Sequence, residues 1–315
     1  MDRVAVFNAA VRTLEESVSR AKAAERLGFE SVWTTQMPDA RDAALVLAAY
    51  AQNTERVSLG TGVLPIYTRH PTAMAQMAAS LDELSGGRFI LGIGISHKVT
   101  VEGMWGLRLE NPVDAMREYL TIVRTMLREG HSAFDGRYFT ARAVYSAPRR
   151  PDLPIMISAL NPRMLDLAGE LADGVVLYMC TPAFVRDHVV PAVRAGREKA
   201  GKTLDGFEIV AAVPVSLTTD RAAGHDVFRK TVARYAALPY YRKMMDASGL
   251  GAELEAQPIG ERVLDELAGI GDAARVRDVI VRYRDAGVTL PGVGPFGGHD
   301  GARGFEATLE AVAAG

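Results

Sequence analysis

Residues 59–97, LGTGVLPIYTRHPTAMAQMAASLDELSGGRFILGIGISH, read as a strand, a loop that stays near the strand end, an amphipathic helix and a second strand. The first strand, residues 56–62, ends in the small-residue cluster Thr61-Gly62-Val63. Pro71 suits a first helical position, because its missing N–H would have no partner there. Ala73, Met74, Met77, Ala78, Leu81 and Leu84 then recur at helical spacing. Ser85-Gly86-Gly87 stops the helix, since glycine adopts the left-handed cap cheaply. The next strand, residues 88–94, is an apolar run leading into Ile95-Ser96-His97. The result is a βαβ unit with glycine and polar chemistry at its strand carboxyl ends, where α/β folds place their sites.

Outward from this unit the same alternation continues in both directions. Strands are expected at residues 3–8, 30–35, 154–159, 174–178, 207–217 and 288–293. Thr13-Leu14-Glu15-Glu16 is a capping box opening a helix that closes before Gly28. Further helices are expected at 39–53, 112–128, 161–172, 181–200, 272–286 and 302–314. Residues 131–150 form a hairpin-like insertion with the turn pair Asp135-Gly136, and residues 218–270 a polar and aromatic excursion. Eight strand–helix units with no break in composition predict one (β/α)8 TIM barrel domain over residues 1–315, with insertions after strands four and seven. A doubly wound sheet is the alternative.

Composition narrows the function classes. The chain has 315 residues, 48% of them apolar, and 36 basic groups against 38 acidic ones leave a net charge of −2. That balance carries no argument for nucleic-acid or membrane partners. The lone Cys180 excludes an internal disulfide framework and a cysteine-based zinc cluster. No leader pattern or spanning apolar run is visible, so a cytoplasmic protein acting on a small molecule is expected.

In a barrel the functional groups come from the strand carboxyl ends. Those ends carry Asn8, Thr35-Gln36-Met37, Thr61-Gly62-Val63, Ser96-His97, Ser158-Ala159, Tyr178 and the 292–298 loop. They hold no paired carboxylates for hydrolysis and no His/Asp/Glu cluster with metal spacing, and the six histidines are scattered. Such a mouth suits a large planar cofactor that brings its own chemistry. Asn161-Pro162-Arg163, opening a helix after Ser158, reads as an anion site or as ordinary capping by Asn161. Gly292 to Gly297 matches G-x-G-x-x-G, but Pro295 interrupts it and no acidic partner strand follows; it is a glycine-rich loop. His97 is a proton donor, a substrate hydrogen bond or a structural histidine, whereas His70 beside Pro71 reads as structural. The excursion residues Phe228, Tyr235, Leu238, Tyr240, Tyr241, Met244, Met245 and Leu250 form either an apolar lid or helices packed on the barrel or a second subunit.

With these residues in view, the chain resembles the luciferase-like oxidoreductase superfamily, in particular its coenzyme F420 (deazaflavin)-dependent branch that includes methylenetetrahydromethanopterin reductase. The resemblance spans essentially the whole chain and is densest in Thr61-Gly62-Val63, Tyr67-Thr68-Arg69-His70-Pro71, Leu81-Asp82-Glu83-Leu84-Ser85-Gly86-Gly87-Arg88 and Leu91-Gly92-Ile93-Gly94. A second block is Asn161-Pro162-Arg163-Met164-Leu165 with Ala172-Asp173-Gly174, and a third Asp285-Ala286-Gly287-Val288-Thr289. It implies a TIM barrel, a homodimer, and F420 as cofactor with FMN as the alternative. Gly62-Val63 would form a bulge with a non-prolyl cis peptide behind the deazaflavin ring. Ser158, Ala159, Leu160, Asn161, Pro162 and Arg163 would hold the cofactor phosphate, and Asn8, Thr35, Gln36, Thr61, Ile95 and Ser96 would approach the ring or substrate side. The sugar-phosphate dehydrogenases of the branch carry Asp-His after strand two and a Glu after strand four. This chain has Gln36-Met37 and His97 there, so sugar-phosphate oxidation is not expected. His97 becomes the expected proton donor in the reduction of an unsaturated or iminium-like substrate. An FMN-dependent monooxygenase and a non-catalytic ligand-binding barrel are the competing expectations.

Overall fold

A computed structural model of the chain describes residues 2–8, 13–297 and 302–314. Gly298, the end of the expected last loop, and His299 lie outside the described residues. Eight parallel strands close on themselves: β1 (Ala5–Phe7), β2 (Ser31–Thr34), β3 (Ser58–Thr61), β4 (Phe89–Gly94), β5 (Ile155–Ser158), β6 (Gly174–Tyr178), β7 (Glu208–Leu217) and β8 (Leu290–Pro295). Each pairs with its neighbour in chain order, and β8 returns to β1 with Ala5 opposite Gly292 and Val6 opposite Val293. The architecture is therefore the closed (β/α)8 barrel and not the doubly wound sheet. Around it lie α1 (Leu14–Arg26), α2 (Ala43–Ala51), α3 (Pro71–Leu84), α4 (Pro112–Glu129), α5 (Pro162–Leu171) and α6 (Val190–Lys199). They are followed by α7 (Arg221–Ala236), α8 (Pro239–Ala247), α9 (Gly251–Glu255), α10 (Glu261–Leu267), α11 (Ala273–Asp285) and α12 (Ala302–Ala313).

Period-two alternation along the strands sorts side chains between two cores. Ala5, Phe7, Trp33, Met156, Val176, Val210, Ala212 and Leu290 fill the barrel interior. Val4, Val6, Val32, Leu59, Leu91, Ile157, Leu177 and Val213 point outward and are covered by the helices. Both faces of each strand are thus dry, which is why the strands read as near-continuous apolar runs. Phe7 and Trp33 stack at 5.7 Å inside the barrel. Gly60 admits Trp33 there, since a Cβ on it would fall 2.4 Å from the indole.

Several boundaries differ from the sequence expectation, each for a local reason. The helix expected from 39 starts at Ala43, because Asp42 caps it through N–H groups of Ala44 and Leu45 while the Gln36 side-chain oxygen takes the N–H of Ala43 at 2.9 Å. The helix after β6 is not one cylinder. Thr181 caps a first turn, residues 185–189 widen, and α6 resumes at Val190, since Pro191 has no N–H to continue the ladder. A second wide helical segment, Val99–Met104, follows His97. Two short strands were not foreseen: Leu64–Pro65 beside β4, and Gly269–Gly271 beside the protruding end of β7. The 131–150 insertion is the expected hairpin, and the Glu118 carboxylate accepts the turn N–H groups of Arg137, Tyr138 and Phe139. Among the described residues no helix is long and apolar enough to cross a membrane.

Candidate active site

The strand carboxyl ends converge on one mouth, and its floor begins where β3 leaves the sheet. Regular β3–β4 pairing covers Leu59–Phe89 and Gly60–Ile90. Beyond it the Thr61 hydroxyl replaces the ladder, donating to Gly92 O at 2.8 Å and accepting from Gly92 N–H at 2.7 Å. The main chain then turns through a cis Gly62–Val63 peptide, and Leu64–Pro65 rejoins β4 opposite Ile93 and Gly94. The turn carries the Val63 side chain onto the interior core. Gly94 must lack a side chain, because a Cβ there would lie 2.7 Å from Val63 Cγ2 and 2.4 Å from Ser158 Oγ. Val63, Gly94 and Ser158 therefore form one continuous surface across three strands. On the opposite wall a Cβ built on Gly294 would meet Phe7 Cβ and Val213 O at 3.8 Å, an ordinary contact that needs no adjustment.

The same alternation places one expected residue, Asn8, whose side-chain oxygen has no partner among the described residues. Asn8 follows Val6 on the outward face of β1, so its side chain lies between α1 and α2 rather than over the mouth. Its amide donates to Ser17 O at 2.9 Å and Tyr50 Oη at 2.6 Å, tying strand to helices. Thr61 is likewise bound into the scaffold by the bonds above, and Gln36 commits its side-chain oxygen to the N–H of Ala43. Asn161 accepts the Met164 N–H at 3.0 Å, which is the capping role. What remains free at the start of α5 is the Ser158 hydroxyl, the N–H groups of Leu160 and Asn161, and the exposed Arg163 guanidinium. None has a partner among the described residues. Thr35 and Ser96 are half-buried, without a side-chain partner among the described residues, at positions that continue the inward faces of β2 and β4. Ser96 holds a left-handed backbone, φ 58°, that turns the chain into His97.

His97 is half-buried, and no carboxylate among the described residues contacts it; burial pushes its pKa below the ordinary 6.5. The imidazole is therefore neutral at pH 7. Its ring lies 5.8 Å from that of Tyr241, on α8 of the excursion. Tyr241 meets Tyr235 at 4.9 Å and Tyr235 meets Tyr178 at 5.1 Å, both edge-on. Tyr178 ends β6 and packs on the interior core, as Val63 does. An aromatic wall thus runs from the floor of the mouth to His97. Sequence reasoning had Tyr178 at a strand end and the other two tyrosines in the excursion. It carried no signal that the excursion would bring them together. His70, expected to be structural, caps α3: its Nδ1 accepts from Thr72 N–H and its Nε2 meets Thr140 O at 3.1 Å.

The profile of the luciferase-like monooxygenase family matches residues 3–290. The chain belongs to that family. Its relatives include the 5,10-methylenetetrahydromethanopterin reductase of Methanolobus tindarius, 34% identical over 213 residues, a match covering 68% of this chain and 65% of that protein. A Mycobacterium tuberculosis protein, whose name proposes a coenzyme F420-dependent oxidoreductase, is 32% identical over 311 residues, covering 85% of this chain and 87% of its own. Among solved structures, the F420-dependent tetrahydromethanopterin reductase of Methanopyrus kandleri superposes with a TM-score of 0.82 at 25% identity, over 99% of this chain and 97% of that one. The luciferase-like barrel is thus shared over nearly its full length.

Proposed function

We propose that this luciferase-like chain is an F420-dependent oxidoreductase that moves a hydride between the deazaflavin and a small organic substrate lying over the exposed ring face. The observation that carries the reading is the build of the mouth. Gly94 lies flat between the Val63 and Ser158 side chains to make one floor, Gly294 adds no side chain to the opposite wall, and the unpartnered donors cluster at one edge. Those residues fit the cofactor: a flat surface for a ring, and hydroxyl, N–H and guanidinium donors for a phosphate. When bound, the deazaflavin supplies the hydride that no side chain can, and carbon in place of the flavin N5 makes it slow to react with oxygen.

The protein's own residues do the remaining work. Ser158, Leu160, Asn161 and Arg163 would hold the phosphate, while Thr35, Ile95 and Ser96 border the ring. Tyr178, Tyr235 and Tyr241 keep water from one side of the substrate. His97, neutral at pH 7, offers one ring N–H and one lone pair, and so exchanges a proton with the substrate without bringing a charge into the mouth. A cytoplasmic homodimer belongs to the same proposal.

Parallel fluorescence titration of the purified protein with F420 and FMN tests the cofactor. Micromolar or tighter binding of F420 and not FMN is expected; the reverse would make the chain an FMN enzyme. Reduced F420 left unoxidised by every acceptor offered would leave a non-catalytic binding barrel.

A further inference from the structure

Helix α7 lies across the mouth, and two ring contacts mark its span. Phe228 stacks on Phe296, just past β8, with ring centroids 5.1 Å apart, and two turns later Tyr235 meets Tyr178 at the end of β6. Between these contacts the two flanks of the helix differ. On one, the Arg229 guanidinium donates to Ile259 O at 3.0 Å and His225 pairs with Asp265 of α10, so that flank is packed. The other carries Val227, Thr231 and Arg234, which share a face at helical spacing. Val227 borders Gly297, 3.5 Å from a Cβ built there, so this flank looks along the loop past β8 and away from α10. The half-buried Thr231 has no side-chain partner among the described residues.

Arg234 is the one arginine of α7 and α8 without a carboxylate among the described residues. Arg221 pairs with Asp265, Arg229 with Asp226, and Arg242 with Asp246 and Glu255. Arg234 instead lays its guanidinium over the Tyr235 ring, 5.2 Å from the centroid. Its charge reaches inward: burial raises the phenols of Tyr235 and Tyr178, and Arg234 draws both back. No other ionised group among the described residues acts on Tyr178, Tyr235, Tyr241 or His97. Lys230, one turn earlier, is exposed and falls further round the helix toward solvent. The aromatic wall thus has one fixed positive charge at its rim and no anion to match it. A guanidinium resting on a ring has given up part of its water, so an anion beside it is held more firmly than at an open surface. Its planar fork takes both oxygens of a carboxylate, and a neighbouring hydroxyl adds a further donor.

We infer that Arg234, with the Thr231 hydroxyl one turn before it, receives a carboxylate of the substrate and is the specificity-determining residue of the mouth. The substrate class is a small organic acid, its carboxylate at α7 and its apolar body along Tyr178, Tyr235 and Tyr241. As a statement about the substrate of a hydride transfer, this rests on the F420 reading above. One positive charge matches one carboxylate, whereas a phosphate monoester near neutral pH carries roughly 1.5 to 2 negative charges and would be left under-neutralised. The carboxylate keeps its charge throughout hydride transfer, so Arg234 serves ground state and transition state alike. Its loss therefore raises KM and leaves kcat nearly unchanged. The excursion is then more than a cover: α7 decides which substrates the barrel admits.

The test is calorimetric titration of the full-length protein, with and without F420, using trans-cinnamate, its uncharged counterpart cinnamamide, and phenyl phosphate as probes. Cinnamate should bind about 10- to 100-fold more tightly than cinnamamide, the range for one charge-assisted pair, and high salt should shrink that preference. Arg234→Gln should abolish the preference while cinnamamide affinity and far-ultraviolet dichroism stay at their parental values. Arg234→Lys should restore part of it, and Lys230→Gln should leave it intact. Equal affinity for acid and amide, a preference that survives in Arg234→Gln, or no binding of cinnamate overturns the carboxylate assignment. Tighter binding of phenyl phosphate than of cinnamate overturns it in favour of a phosphate. Failure to bind F420, with the cinnamate preference present in its absence, overturns the cofactor reading alone, so the two are told apart.

Discussion

Gly94→Ala puts the floor of the mouth to the test, because one methyl group there acts on stability and cofactor affinity by separable amounts. The new Cβ would stand 2.4 Å from Ser158 Oγ and 2.7 Å from Val63 Cγ2, where ordinary contact begins at 3.4 Å. Ser158 can rotate its hydroxyl away. Val63 cannot swing as easily, being β-branched and held in the turn between Thr61 and Leu64. It must therefore shift by roughly 0.7 Å, toward the space given to the ring. Overpacking of this kind costs about 1–3 kcal/mol, a Tm loss of about 2–6 °C for a chain of this length. The cofactor loses the Ser158 hydrogen bond and part of its flat support, together about 1.5–2.5 kcal/mol, or roughly 10- to 100-fold in affinity. Gly294→Ala is the control: with 3.8 Å to the nearest atom it should hold Tm within about 1 °C. Differential scanning calorimetry and F420 titration of both variants supply the measurements. A Gly94→Ala protein with the expected drop in Tm but parental F420 affinity would refute the placement of the ring on Val63 and Ser158.

Other outcomes follow from the same geometry. Arg163→Ala should weaken F420 binding about tenfold and flatten its dependence on ionic strength, since an exposed guanidinium acts mainly through screened charge; titration at two salt concentrations checks both. If turnover needs the neutral imidazole of His97, kcat/KM should stay level from pH 8 to 7 and fall on acidification with a midpoint below 6.5, an acid limb that His97→Gln should lack. Stability should follow the same sign. As pH falls from 6.5 toward the lower folded-state value, the unfolded chain takes up a proton that the folded chain refuses, so unfolding becomes easier, and denaturant midpoints in His97→Gln should lose that part of the slope. Arg150→Met should cost about 2–3 kcal/mol by urea unfolding. It strips both hydrogen bonds from the buried Asp82 carboxylate and one from Phe89 O, while leaving the mouth untouched.

The barrel was legible in the chain because its determinants are local and repeated. Each strand is dry on both faces and each cap is a short-range pattern, as Thr13 over Glu16 and Pro71 after His70 show. Counting such units required no long-range information. The boundary at residue 43 escaped the pattern, because Gln36 reaches seven residues forward to cap α2, a contact that no periodicity encodes. Which polar residues serve the site was harder to read. Asn8, Thr61 and Asn161 have the right types at the right strand ends, yet one faces the helices, one bridges β3 to β4, and one caps α5.

Sequence alone thus determined the eightfold alternation, the small-residue floor at Thr61-Gly62-Val63 and Gly94, and the want of ionised groups at the strand ends, since each follows from residue type and spacing within a few dozen positions. Tertiary structure decided which of those residues still have a free hydrogen bond, and it brought Tyr241 and Tyr235 across more than 130 residues of chain to His97. Partnership and burial are properties of surfaces packed together, and no local pattern carries them.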